Sequence, residues 1–209
     1  MRVRTLVNPF SVRDTLAPAN FSEIFENPNL PVDLEIGTGQ GNFFMQLCAN
    51  RTDRNHVGVE LRYGLAVHVN QKIQQQGLKN GKVFYGNVHH CLENIINGHI
   101  LAAIYIFFPD PWEKRRHANR RLLSLDLVQR LVKSLQPGGR IYVQTDVVEL
   151  LQEMRQVFDQ VSGLKPVHPE VLCPPELWRN EIGEIFSNRE RDAMKTNLPI
   201  YRLILQSIC

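Results

Sequence analysis

At 209 residues and 43% hydrophobic content, the chain is long enough for one domain with a sizeable core and too apolar for a disordered tail. Its 13 glycines and 12 prolines exclude low complexity, and the longest apolar run, residues 100–108, is about half of the roughly 18 residues a membrane helix needs. The net charge of +3 is small but uneven: residues 112–121 hold five Lys or Arg against one Glu, a local +4 that leaves the rest at −1.

No apolar h-region follows Met1-Arg-Val-Arg, so a cytoplasmic protein is expected rather than a secreted one. The four cysteines (Cys48, Cys91, Cys173, Cys209) form no C-x-x-C and read as free thiols. The pair His89-His90 reads as surface or loop, because sequence neighbours point apart, and no metal is expected.

From residue 31 onward, strand and helix patterns alternate. Val32-Asp-Leu-Glu-Ile36 is a first strand ending in glycines, and residues 43–49 a first helix. His56-Val-Gly-Val-Glu60 is a second strand, followed by a helical stretch over residues 67–73. Lys82-Val-Phe-Tyr85 is a third, with a short helix over residues 92–96. The apolar residues 100–108 predict a central strand covered on both faces. A helix over residues 122–135 closes at Pro137-Gly-Gly139, and residues 140–145 form the fifth strand. Apolar residues from Val147 to Val161 fall at i, i+3, i+4, i+7 and predict a helix. Prolines 166, 169, 174 and 175 then lead, with no long helix, to a last strand over residues 200–206. The alternation predicts an α/β doubly wound, mostly parallel sheet over residues 31–209. Residues 1–30 stand apart as a partly basic, flexible N-terminal extension carrying Arg2, Arg4 and Arg13.

The first strand runs into Gly37-Thr-Gly39-Gln-Gly41, where glycines let the backbone turn tightly and approach a ligand. Two details separate this loop from a dinucleotide site. Its spacing is G-x-G-x-G rather than G-x-G-x-x-G, and Glu35 puts a carboxylate at the loop mouth. That charge repels a pyrophosphate and favours the sulfonium and α-ammonium of S-adenosylmethionine. Glu60, about 20 residues on, suits the ribose hydroxyls. Asn87 after the third strand suits the adenine edge with Val88 packing on the ring, although Gly86-Asn87 also reads as a turn pair.

Ligands in open α/β sheets bind beyond the carboxyl ends of the strands. There the central strand empties into Phe108-Pro-Asp110-Pro-Trp112, two prolines stiffening the chain around one carboxylate. Trp112 reads as packing ahead of stacking. A carboxylate beside a cofactor pocket, with +4 at its rim, points to methylation of an anionic polymer.

Together, Glu35-Ile-Gly-Thr-Gly-Gln-Gly41, Gly58-Val-Glu60, Phe108-Pro-Asp-Pro-Trp-Glu-Lys-Arg-Arg-His117, Arg120-Arg121, Thr145-Asp146 and Pro199-Ile-Tyr-Arg202 resemble the bacterial tRNA (guanine-N7)-methyltransferases over about residues 31–207. The resemblance implies a class I, Rossmann-like S-adenosylmethionine-dependent fold and methylation of the guanine at variable-loop position 46 of tRNA. It places Glu35, Gly37, Gly39, Gly41, Glu60, Asn87, Val88 and Asp110 around the cofactor, with Asp110 catalytic. Lys114, Asp146, Ser187, Asn188, Arg189 and Glu190 would hold the substrate, and Arg115, Arg116, His117, Asn119, Arg120 and Arg121 the RNA. It implies a stand-alone enzyme, monomer or homodimer, with no membrane and no obligatory protein partner. The chain departs from the family pattern at Asn87 (usually Asp), at Ser187 of a T-x-x-E motif, and at Val147 (often Asn). The other reading kept open is a non-catalytic RNA-binding module on a decayed methyltransferase fold.

Overall fold

The computed structural model describes residues 8–13, 16–98, 101–112, 120–168 and 173–208. Seven strands form one sheet: β1 (Val32–Ile36), β2 (Asn55–Glu60), β3 (Gly81–Tyr85), β4 (Leu101–Phe107), β5 (Leu135–Thr145), β6 (Leu164–Pro166) and β7 (Tyr201–Ser207). Their order is β3-β2-β1-β4-β5-β7-β6, with β1 to β5 mutually parallel and β7 antiparallel to both β5 and β6. The order reverses between β1 and β4, and the crevice beyond their carboxyl ends is where such a sheet binds ligands.

The apolar run of β4 resolves into two faces, because side chains alternate along a strand. Ile104 and Ile106 enter one core with Leu34, Val57 and Val59, while Ala103 and Tyr105 enter the other with Phe43, Tyr142 and Trp178. The first core is covered by α4 (Val88–Ile96), α5 (Leu125–Ser134) and α6 (Val148–Phe158), and the second face by α2 (Asn42–Asn50), α3 (Tyr63–Gln75) and α7 (Pro175–Ile182). In α5, Ser124 accepts from Leu127 N–H at the N-cap, Asp126 sits in the first turn and Lys133 in the last. That cap starts the helix three residues later than its apolar pattern does.

The structure departs from the sequence reading in further places. Residues 16–30 are not an extension. Phe21 of α1 (Phe21–Ile24) and Phe25 lie in the first core, and backbone and amide bonds tie Ala19 and Leu16 to Asn94. The α4 helix begins at Val88, directly after Asn87, not at residue 92. β6 was not foreseen. The stretch before β7 holds two eight-residue helices, α7 and α8 (Asn188–Lys195). Cys48, Cys91 and Cys173 are buried free thiols, and no helix among the described residues is long and apolar enough to cross a membrane.

Candidate active site

A cavity of about 480 Å³ opens where the sheet order reverses, lined by the β1–α2 loop, the ends of β2, β3 and β4, and the start of α8. Gly37 and Gly39 line it at φ +85° and +56°, and a Cβ on Gly37 would meet nothing within 4 Å, so the backbone there faces open space. Gly41 behaves differently. It caps α2, and a Cβ there would fall 2.6 Å from Val69 Cγ2 of α3. The third glycine, expected at the cofactor, instead lets two helices approach.

Glu35 is 4% exposed and lines the cavity, and its Oε2 is buried with no hydrogen-bond partner among the described residues. Burial, followed by repulsion from Glu60, pushes its carboxyl well above the ordinary carboxylate range. An orphaned, buried acid at a ligand cavity fits a ligand that brings a cation. Thr38 Oγ1, in the same wall, is also buried without a partner among the described residues. Glu60 is held hard. Its Oε2 accepts from Gly39 N–H at 2.7 Å, and its Oε1 accepts from the Arg62 backbone N–H at 3.0 Å and from Arg62 Nε at 2.9 Å. A carboxylate has about four acceptor positions, so three are engaged and Oε2 keeps one for a hydroxyl.

Asn87 lines the cavity from the head of a helix. It is the N-cap of α4: its Oδ1 accepts from His89 N–H, and its Nδ2 donates to the Pro9 carbonyl. Val88, buried at 3%, starts the helix, and Asn87 precedes it in an extended conformation rather than as one of a turn pair.

Asp110 is half-buried and lines the cavity just past β4. Its loop is strained on both sides: Phe108 and Trp112 have φ of +49° and +43°, conformations that cost non-glycine residues about 1–3 kcal/mol each. Phe108 N–H donates to the Gln144 carbonyl at 2.6 Å, and Arg121 Nε donates to the Pro111 carbonyl at 3.2 Å, fixing the loop at each end. Trp112 is buried and also lines the cavity, with the Arg120 guanidinium 5.1 Å from its ring centre. Arg121 pairs with Glu153. Lys114, Arg115, Arg116, His117 and Asn119 lie outside the described residues.

At the far wall, Ser187 caps α8 by accepting from Glu190 N–H. Asn188 bonds to Asn42 and Gln40, stitching the start of α8 to the glycine-rich loop. Arg189 lines the cavity and pairs with Asp146, which is itself not part of the lining. Glu190 departs from its expected substrate role: it is 1% exposed, outside the lining, and pairs with Arg179 of α7 and Arg202 of β7. Arg62, Asp192 and Pro9 line the cavity without having been singled out; Arg62 had a signal, lying two residues beyond Glu60. Among the described residues, no cluster of three His, Cys, Asp or Glu is placed to hold a metal ion.

The family model described as "Putative methyltransferase" matches residues 29–203. A tRNA (guanine-N(7)-)-methyltransferase of Thermosynechococcus vestitus is 34% identical over 204 residues, covering 97% of this chain and 93% of that one. One from Synechocystis is 32% identical, covering 99% and 97%. The chain belongs to the tRNA (guanine-N(7)-)-methyltransferase family. Solved structures show the same fold at low identity. The 16S rRNA methyltransferase KamB superposes with a TM-score of 0.60 at 11% identity, over 88% of this chain and 89% of that one. A putative methyltransferase from Streptococcus mutans in complex with SAH gives 0.53 at 11% identity, over 90% and 93%. The sheet of this family member is thus the class I, Rossmann-like methyltransferase sheet foreseen from its sequence.

Proposed function

We propose that this chain transfers a methyl group from S-adenosylmethionine to N7 of guanine in tRNA, at variable-loop position 46. It works in the cytoplasm as a monomer or homodimer with no obligatory protein partner. The observation that carries this reading is the unpartnered, buried Glu35 Oε2 sharing one cavity with Asp110, in a chain of this family.

The residues present fit the cofactor. Glu35 faces its cationic amino-acid end, the remaining acceptor position of Glu60 takes a ribose hydroxyl, and Val88 with Asn87 bounds the adenine side. When bound, S-adenosylmethionine supplies an electrophilic methyl group on sulfur.

The chain's own part is positioning and charge. Guanine N7 carries a lone pair and no proton, so its attack needs no general base, and the methylated ring becomes cationic. Asp110, held by its proline-flanked loop, accepts from the guanine N1–H and N2–H₂ and favours the growing positive charge. N7 faces the deep, narrow major groove of A-form RNA, so the base must be splayed out to reach Asp110. Arg120, Arg121 and the basic residues 114–116 hold the phosphates around it, while Arg189, oriented by Asp146, and Ser187 with Asn188 border the substrate side.

The test is methyl transfer to unmodified tRNA with the product nucleoside identified by mass spectrometry. 7-Methylguanosine is expected. Another methylated nucleoside would refute the position of attack, and tRNA binding without any transfer would establish a binding module instead.

A further inference from the structure

Asn87 divides its amide between two tasks. Its Oδ1 accepts from His89 N–H at 3.1 Å and completes the N-cap of α4, while its Nδ2 donates to the Pro9 carbonyl at 3.0 Å, across 78 residues of chain. Pro9 itself lines the cavity, beside Gly86, Asn87, Val88 and His89. The short segment around it has its own local order. Pro9–Ser11 is a single 3₁₀ turn, Asn8 Oδ1 accepts from Phe10 N–H, and the Asn8 carbonyl accepts from both the N–H and the hydroxyl of Ser11. Val12 is buried, at 5% exposed.

We propose that residues 8–13 are a fixed wall of the cofactor cavity on its adenine side, installed by the Asn87 Nδ2 donor. This rests on the cofactor named above. The chemistry is specific to the amide. An aspartate at 87 would cap α4 as well as asparagine does, but an ionised carboxylate has no proton to give a carbonyl. Pro9 has no N–H to offer, so its carbonyl is the segment's only backbone group at that residue able to bond to the body of the protein. Because the wall encloses ligand surface, wall order and cofactor affinity are linked: whatever loosens one weakens the other, and ligand binding protects the wall in turn.

The test compares the full-length protein with Asn87→Asp, Val12→Asp and the double variant. Calorimetric titration with S-adenosylhomocysteine is paired with amide hydrogen exchange at residues 10–12 without ligand. Asn87→Asp should weaken binding about five- to tenfold, the scale of one lost hydrogen bond, and should speed exchange at Ser11 and Val12. Val12→Asp, which leaves the cavity lining intact, should do the same. The double variant should be no worse than the weaker single one, because both act through the same wall. The proposal fails if Asn87→Asp binds like the natural protein, or if its exchange is unchanged. It also fails if Asn87→Asp weakens binding further in the Val12→Asp background, since Asn87 would then act on the ligand directly. A natural protein that does not bind S-adenosylhomocysteine would refute the cofactor reading, while the ligand-free exchange comparison would still decide the tether.

Discussion

Glu35 and Glu60 leave adjacent parallel strands and meet at one cavity with opposite hydrogen-bond settings. Glu60 accepts from the Gly39 N–H and from Arg62, whereas Glu35 has a buried oxygen with no partner among the described residues and feels Glu60 as repulsion. One acid is built into the folded chain; the other waits for a cation.

That asymmetry makes Glu35 a burden on the ligand-free fold. An acid whose pKa is raised by folding contributes stability while protonated and loses it as pH rises through the folded value. Glu35→Gln should therefore raise Tm at neutral and higher pH, by about 2–4 °C for each kcal/mol recovered, and change little near pH 4. The same variant should bind cofactor at least about tenfold more weakly. In the natural protein, affinity for the cationic ligand should rise with pH until Glu35 is ionised in the free state, and then level off. Thermal melts and titrations across pH 4–9 read both effects, and a lower Tm for Glu35→Gln at pH 8 would contradict the assignment.

Asp110→Ala should reduce turnover by about 10²–10³-fold, the scale of losing one preorganised electrostatic partner, with tRNA affinity within threefold of normal. Hydrogen bonds at the Phe108 and Pro111 backbone also hold its loop, and a melt run beside the assay checks that the variant is folded. Single-turnover kinetics beside a filter-binding assay separates the two effects. Near-normal turnover would remove Asp110 from the chemistry.

Glu190→Ala leaves Arg179 and Arg202 facing a void, with Arg202 only 8% exposed at its side chain. Breaking a buried pair this way costs about 3–5 kcal/mol, a Tm drop of at least about 6 °C. Well below the melt, KM for tRNA should be unchanged. A raised KM with a normal melt would return Glu190 to the substrate site.

The two glycines at either end of the first loop should fail differently. Gly41→Ala drives a methyl group into Val69 and should cost about 1–3 kcal/mol of stability without changing cofactor affinity in the folded fraction. Gly37→Ala meets no neighbouring atom, so it should lose only the about 1–3 kcal/mol that a left-handed backbone at φ +85° costs a side chain, while weakening cofactor binding. Paired melts and titrations of the two variants check this.

Arg120 lines the cavity with its guanidinium 5.1 Å from the Trp112 ring centre. Arg120→Ala should lower the slope of log affinity against log salt by about 0.7–0.9, the release of one counterion. Arg121→Ala should lower it less, because Glu153 already neutralises that guanidinium. Equal slopes for all three proteins would place the RNA elsewhere.

The chain's local chemistry determined the sheet, its parallel order and the ends where ligands bind. Strands β1 to β5 each carry an apolar run punctuated by Gly, Pro or Asn, and Glu35, Glu60 and Asp110 sit within a few residues of those ends. Such signals need only a short window of sequence. Helices α7 and α8 escaped because each has about two turns, and in α8 only Ala193 and Met194 are apolar, too few to show a period. The roles of Gly41, Asn87 and Glu190 were decided by partners 12 to 78 residues away in the chain or on another helix: Arg202 for Glu190, Pro9 for Asn87, Val69 for Gly41. A glycine that faces a ligand and one that faces a neighbouring helix have the same local spelling. Only the folded chain brings up the atom that distinguishes them, because packing and buried charge are properties of what lies across the gap.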